Sequence, residues 1–228
     1  MPNILPFTEK ITSCTDGTLL QQYFSEELIE YIRITGTNPL ENRHQQVSVL
    51  FFDIRNSTGI AEQLAPKLFA QFLNDILTDI IDLVCGARGS VNKILGDGLL
   101  AVFGAPVSSG DDAFNAVKVG LEIQNYLQTY NDVRPDYLIQ PIEAGVGIAT
   151  GQVFAGIIGS VHRQEYTVLG DPVNVASRLE SLTRYCPDKV LMDEGTYQLI
   201  KGRFETLRTY KSQVRGKSKP IKVYGIMP

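Results

Sequence analysis

Apolar positions along this chain change period several times, and the changes mark out its elements. Residues 47–52, VSVLFF, form a short apolar run ending at Asp53, the pattern of a buried strand. Residues 54–60 read as a polar loop. From Pro66 to about residue 84, Leu68, Phe72, Ile76, Ile80 and Leu83 fall on one helical stripe. Pro66 suits the first turn of that helix, where N–H groups are unpaired anyway. Gly86 and Gly89 end it. Short strands at 91–94 and 99–103 flank Gly96-Asp97-Gly98, a hairpin signal. A helix capped by Asp111 or Asp112 follows, to about residue 126. Strands are expected at 142–148 and, entered through Gly151, at 152–156. Another at 166–169 leads to a helix capped by Asp171, with Pro172 in its first turn, running to about 183. A strand at 189–192, a short helix at 194–200 and a strand pair at 203–210 and 220–226 complete the pattern.

Strand, helix, hairpin, helix, strand is the order of a ferredoxin-like βαββαβ unit. The expected class is therefore α/β (α+β), with a C-terminal α/β elaboration. Upstream, Leu19, Tyr23, Phe24, Leu28 and Ile32 are spaced as in one or two short helices, and residues 35–45 hold Gly, Pro and Asn without any period. We place an N-terminal extension and helical linker at 1–45 and the main domain at 46–228.

Composition narrows the classes. Of 228 residues, 43% are hydrophobic and 20% charged, which suits an ordinary globular protein and excludes collagen-like and wholly disordered chains. The net charge of −4 gives no general attraction to nucleic acid or to an anionic membrane, so a phosphate ligand needs a local positive site. Apolar runs are far too short to span a bilayer. Cys14, Cys85 and Cys186 lie far apart with no CxxC spacing, which argues against a disulfide framework or zinc site and fits a reducing, cytoplasmic setting.

Several residues could carry chemistry. Asp53 ends the first strand and Asp97 sits in the hairpin tip, neighbours in a ferredoxin-like sheet. Two hard carboxylates at a water-accessible edge suit Mg²⁺, which shares its remaining ligands with water and substrate phosphates. Read as residues alone, a turn role and a capping role remain equally open. Asn56, Ser57 and Thr58 after the first strand could turn backbone N–H groups toward a phosphate, although there is no Walker loop. Asn174 and Arg178, four apart on a helix, share one face. Arg offers a fork of donors to a phosphoryl group. Lys93 and Thr167 lie on two strands, and Lys217 belongs to a basic run, RGKSK, at 215–219. Each could equally be a solvated position.

Together these segments resemble a known family. FFDIRNST is similar to the first metal segment of class III nucleotidyl cyclase catalytic domains, VNKILGDGLLAVFGAP to the second, YTVLGDPVNVASRLE to the substrate and transition-state helix, and VRGKSKPIKVYGI to the C-terminal strand pair. The resemblance runs in order over about residues 46–226. It implies Asp53, Asp97 and the Ile54 carbonyl as ligands of two Mg²⁺ or Mn²⁺ ions, and Lys93 and Thr167 as purine-selecting residues. It implies Asn174 at the ribose, Arg178 at the transition-state phosphoryl group and Lys217 at the triphosphate. One departure is Asn56-Ser57, where the family has Gly-Phe.

The activity implied is that of an adenylyl cyclase, converting ATP to 3′,5′-cyclic AMP and pyrophosphate. In the family the site lies between two chains. One chain holding both residue sets therefore implies a homodimer, with an upstream regulatory domain in the parent protein and no membrane insertion or nucleic-acid partner. Guanylyl cyclases typically carry an acidic residue where Lys93 stands. A non-catalytic nucleotide-binding or dimerisation module would have lost an aspartate or Arg178.

Overall fold

The computed structural model describes residues 42–160, 163–204, 207–212 and 221–226. The upstream helical segment, His162 and Lys217 with its basic run lie outside the described residues.

Strand β1 (Arg43–Ile54) is followed by α1 (Ser57–Gln63) and α2 (Pro66–Gly86), then by the hairpin β2 (Ser90–Leu95) and β3 (Gly98–Phe103). Helix α3 (Asp112–Asp132) leads to β4 (Ala144–Ser160), β5 (Arg163–Leu169) and α4 (Asp171–Leu182). The elaboration is β6 (Val190–Asp193), α5 (Glu194–Ile200), β7 (Leu207–Ser212) and β8 (Ile221–Ile226). The sheet order is β2-β3-β1-β4-β6-β8-β7, with β5 also on β4. Its first four strands, β2-β3-β1-β4, are antiparallel neighbours throughout, the ferredoxin-like arrangement.

Alternation along the strands divides the core between the two sheet faces. Leu50, Phe52, Leu99, Ala101, Val146 and Ile148 pack against Phe72, Ile76 and Ile80 of α2 and Val117 and Ile123 of α3. On the other face Val47, Val49, Leu100 and Val102 meet Val175, Ala176 and Leu179 of α4, and Val168 of β5 joins them. Phe154 and Ala155 pair with both β1 and β5, so β5 lies on the edge of β4 opposite β1.

The structure differs from the sequence expectation in several element bounds: α3 runs on to Asp132, β5 begins at Arg163 and β7 is Leu207–Ser212. Four further differences have a local cause. The segment expected as a loop over 54–60 already turns helical at Ser57. The strands expected at 142–148 and 152–156 are one strand, because Gly151 stays in the ladder opposite Val47. A Cβ there would come to 2.9 Å from Pro172, so this glycine serves close packing and not a turn. Residue 142 is outside β4 because the Asn131 side chain takes both the Ile142 N–H and its carbonyl. Finally, β1 begins at Arg43, within the stretch read as linker, since Arg43, His44 and Gln45 pair with the end of β4.

Candidate active site

Asp53 is the last but one residue of β1 and sits opposite Gly98 of β3. This register places Asp97, half-buried in the hairpin tip, beside Asp53. The tip needs its glycines. Gly96 has φ +72°, and a Cβ on Gly98 would run into the Phe52 carbonyl and the Asp53 carboxylate. Burial raises the Asp53 pKa above the ordinary carboxylate value, and the Asp97 charge raises it further; Arg55 and Arg184 pull it back. Arg184 Nη2 lies 3.6 Å from Asp53 Oδ2. Two mutually repelling carboxylates at the partly exposed ends of neighbouring strands are a donor set whose chemistry would suit a hard cation sharing its remaining ligands with water and phosphate. Among the described residues no group of three or more His, Cys, Asp and Glu side chains is placed to hold a metal ion.

After Ile54, which is buried, the chain turns through Asn56 in the left-handed conformation at φ 54°. Asn tolerates this region better than most residues, so it can stand at a position that glycine would fill. The Asn56 carbonyl accepts from the Ile60 N–H at 3.1 Å, Ser57 and Thr58 open α1, and Ile60 packs against the core as the segment's apolar anchor.

Beneath Asp53 lies a charge pair that sequence reasoning missed. Arg55 Nη1 is 2.9 Å from Glu180 Oε1, and Nη2 donates to the Glu180 carbonyl at 3.0 Å and to Thr183 Oγ1. A Cβ on Gly145 would occupy the space of the guanidinium. Burial raises the Glu180 pKa while Arg55 opposes the rise. Arg55 had looked like any residue of a polar loop. Only the tertiary contact with α4 marks it out.

Helix α4 lies close on β4 because small residues line its path. A Cβ on Gly147 would collide with the Ala176 carbonyl and the Glu180 N–H. Asn174 is exposed and Arg178 half-exposed, and neither side chain has a hydrogen-bond or ion-pair partner among the described residues.

The third group joins β2 to β5. Lys93 Nζ is 2.9 Å from Glu165 Oε2. Thr167 Oγ1 donates to Asn92 Oδ1 at 3.2 Å, and Asn92 Nδ2 donates to the Tyr166 carbonyl at 3.1 Å. Thr167 is 7% exposed, so the solvated-strand reading of this residue does not hold. Asn92 and Glu165 escaped the sequence reading, since their contacts cross more than seventy residues of chain.

The chain thus sets Asp53 beside Asp97, links the neighbours Asn92 and Lys93 of β2 to Thr167 and Glu165 of β5, and carries Asn174 and Arg178 one turn apart on α4. His44 stacks edge-on against Phe154, 6.0 Å between ring centres, and belongs to none of these groups.

Comparison with known proteins identifies the family of the chain. The family model described as "Adenylate and Guanylate cyclase catalytic domain" matches residues 40–228. An adenylate cyclase of Anabaena cylindrica is 31% identical over 191 residues, 80% of this chain and 37% of its own length. This chain spans between 10% and 37% of the length of such curated relatives. The crystal structure of the adenylyl cyclase CyaB from P. aeruginosa superposes with a TM-score of 0.76 at 30% identity, covering 83% of this chain and 97% of that one. The crystal structure of the guanylyl cyclase Cya2 does so with a TM-score of 0.73 at 32% identity, covering 81% and 92%. The chain belongs to the adenylate and guanylate cyclase catalytic domain family, with the class III fold.

Proposed function

We propose that this domain is an adenylyl cyclase, working as a homodimer with ATP bound between two copies. The observation that carries adenylyl over guanylyl is the Lys93–Thr167 pair on β2 and β5. A lysine donates to adenine N1, and a threonine hydroxyl can accept from the 6-amino group. Guanine presents a donor at N1 and an acceptor at C6 instead.

In the proposed reaction the ribose 3′-oxygen attacks the α-phosphorus. The bond from that phosphorus to the oxygen bridging to the β-phosphate breaks, pyrophosphate leaves, and the hydroxyl proton passes to water or a substrate phosphate. Divalent cations, Mg²⁺ or Mn²⁺, bound by Asp53, Asp97 and the Ile54 carbonyl would acidify the attacking hydroxyl and neutralise the triphosphate. Arg178 binds the α-phosphoryl oxygens as their charge grows. Asn174 holds the ribose in line for attack. Lys217 and the backbone of Asn56, Ser57 and Thr58 hold the outer phosphates. Arg184, 3.6 Å from Asp53, is with Arg55 a counter-charge to that carboxylate.

Dimer formation has support in the surface. Ile94 and Leu95 on the hairpin and Leu169 at the end of β5 are large apolar residues left exposed in the single chain. Among the described residues no helix is long and apolar enough to cross a membrane.

The direct test is the purified chain with Mg²⁺ or Mn²⁺ and either ATP or GTP, scored for cyclic product. Cyclic AMP formed in preference to cyclic GMP is the expected result. Preference for GTP would make the domain a guanylyl cyclase. Lys93→Glu with Thr167→Gly should weaken the ATP preference, because the purine would no longer meet its partners.

A further inference from the structure

Strand β2 carries a bulge at its centre. Val91 pairs with Ala101 and Lys93 with Leu100, so Asn92 is the extra residue. In a regular strand consecutive side chains point to opposite faces. The bulge removes that alternation, and both Asn92 and Lys93 reach β5. Lys93 and the asparagine beside it are therefore aimed at the same strand by one irregularity of the backbone.

The hydrogen bonds of Asn92 fix more than its own position. The Tyr166 carbonyl can only accept, so the amide nitrogen of Asn92 must face it. The amide oxygen then faces Thr167. That oxygen can also only accept, so the Thr167 hydroxyl must donate its single proton to Asn92. What the hydroxyl has left for a ligand is lone pairs.

We propose that Asn92 is a specificity-determining positioning residue: it holds the Thr167 hydroxyl as an acceptor, so the site takes a 6-amino purine nucleotide and rejects a 6-oxo one. This rests on the adenylyl cyclase reading and supplies its proton-level basis. A 6-amino group donates to the waiting lone pair. A 6-oxo group meets that lone pair with another. To accommodate it, the hydroxyl must rotate away and leave the Asn92 oxygen unpaired in a half-buried place, which costs more than the new bond returns.

The test is the ratio of kcat/KM for ATP to that for GTP, measured on one preparation so that inactive protein cancels. Asn92→Ala frees the hydroxyl to rotate. The ratio should fall about tenfold, the scale of one neutral hydrogen bond, with kcat/KM for GTP rising in absolute terms. Mere structural damage would lower both. In a Thr167→Val background, Asn92→Ala should change nothing further. A second measurement needs no Asn92 variant: purine riboside triphosphate, with only hydrogen at C6, should lose against ATP in wild type about what Thr167→Val loses on ATP. An unchanged ratio in Asn92→Ala, a further fall on adding Asn92→Ala to Thr167→Val, or a wild type indifferent to the 6-amino group overturns the assignment of Asn92 while cyclic AMP production stands. A wild type that prefers GTP overturns the adenylyl reading first, and this assignment with it.

Discussion

Arg178 and Glu180 stand two residues apart on α4, so their side chains leave the helix about 200° apart. Glu180 turns inward to Arg55, beneath the Asp53 of its own chain. Arg178 turns the other way, half-exposed and without a partner among the described residues. The arginine expected at the α-phosphoryl group thus leaves α4 on the side away from the Arg55–Glu180 pair beneath Asp53, which is consistent with a site completed by a second copy.

A mixing experiment tests that shared site. Asp53→Ala and Arg178→Ala homodimers should each be close to inactive. After subunit exchange, one site of a heterodimer collects both lesions and the other neither. Equal mixing places about half of all dimers in that state by random pairing, so activity should return to roughly a quarter of wild type and depend on concentration. A mixture that stays inactive, with exchange shown independently, would put all the residues in one site of one chain.

Asp53→Ala and Asp97→Ala should each abolish cyclase activity while leaving a folded protein. Without divalent cation neither should melt below wild type, since each removes one of two repelling carboxylates. Adding Mg²⁺ with a non-cyclisable ATP analogue should raise the wild-type melting temperature and leave the variants unmoved, as expected when ligand binds only an intact native site. Near-normal turnover in either variant would sink the metal assignment.

Arg55→Met should be severely destabilising. It leaves the Glu180 carboxylate buried without its cation, a loss of about 3–5 kcal/mol, whereas Arg55→Met with Glu180→Met should recover most of it. The pH dependence has a definite sign. The folded-state pKa of Glu180 is already raised by burial, and losing Arg55 raises it further. The stability of this group is then fully present below its ordinary value of 4.5 and lost as pH rises through the raised value. Chemical denaturation of Arg55→Met should show a smaller deficit at about pH 5 than at pH 8; a deficit independent of pH would count against the buried charge as its cause.

Gly147→Ala should push α4 off the sheet, because its Cβ would meet helix backbone and not a movable side chain. Overpacking of this kind costs about 1–3 kcal/mol. Activity should fall further than stability, since Asn174 and Arg178 move with the helix. Comparing residual turnover with the folded fraction separates the two effects.

The local pattern determined most elements of this protein. The apolar run ending at Asp53, the stripe of α2, the glycine-flanked hairpin and the Asp171-Pro172 helix start are written in short-range periodicity, and together they predict the βαββαβ order. Resemblance of four ordered segments added the candidate residues, and the register of β1 on β3 sets Asp97 next to Asp53. The tertiary structure decided what depends on contacts between distant segments. Gly151 reads locally as a break, yet it stays in the ladder because Pro172 needs the space above it. Arg55 reads as a loop residue, yet it is buried because Gly145 makes room for it beside Glu180. Asn92 reads as one more polar position in a hairpin. Its meaning comes from a bulge and from a strand more than seventy residues away, because the proton of a threonine is directed by whichever acceptor the fold brings to it.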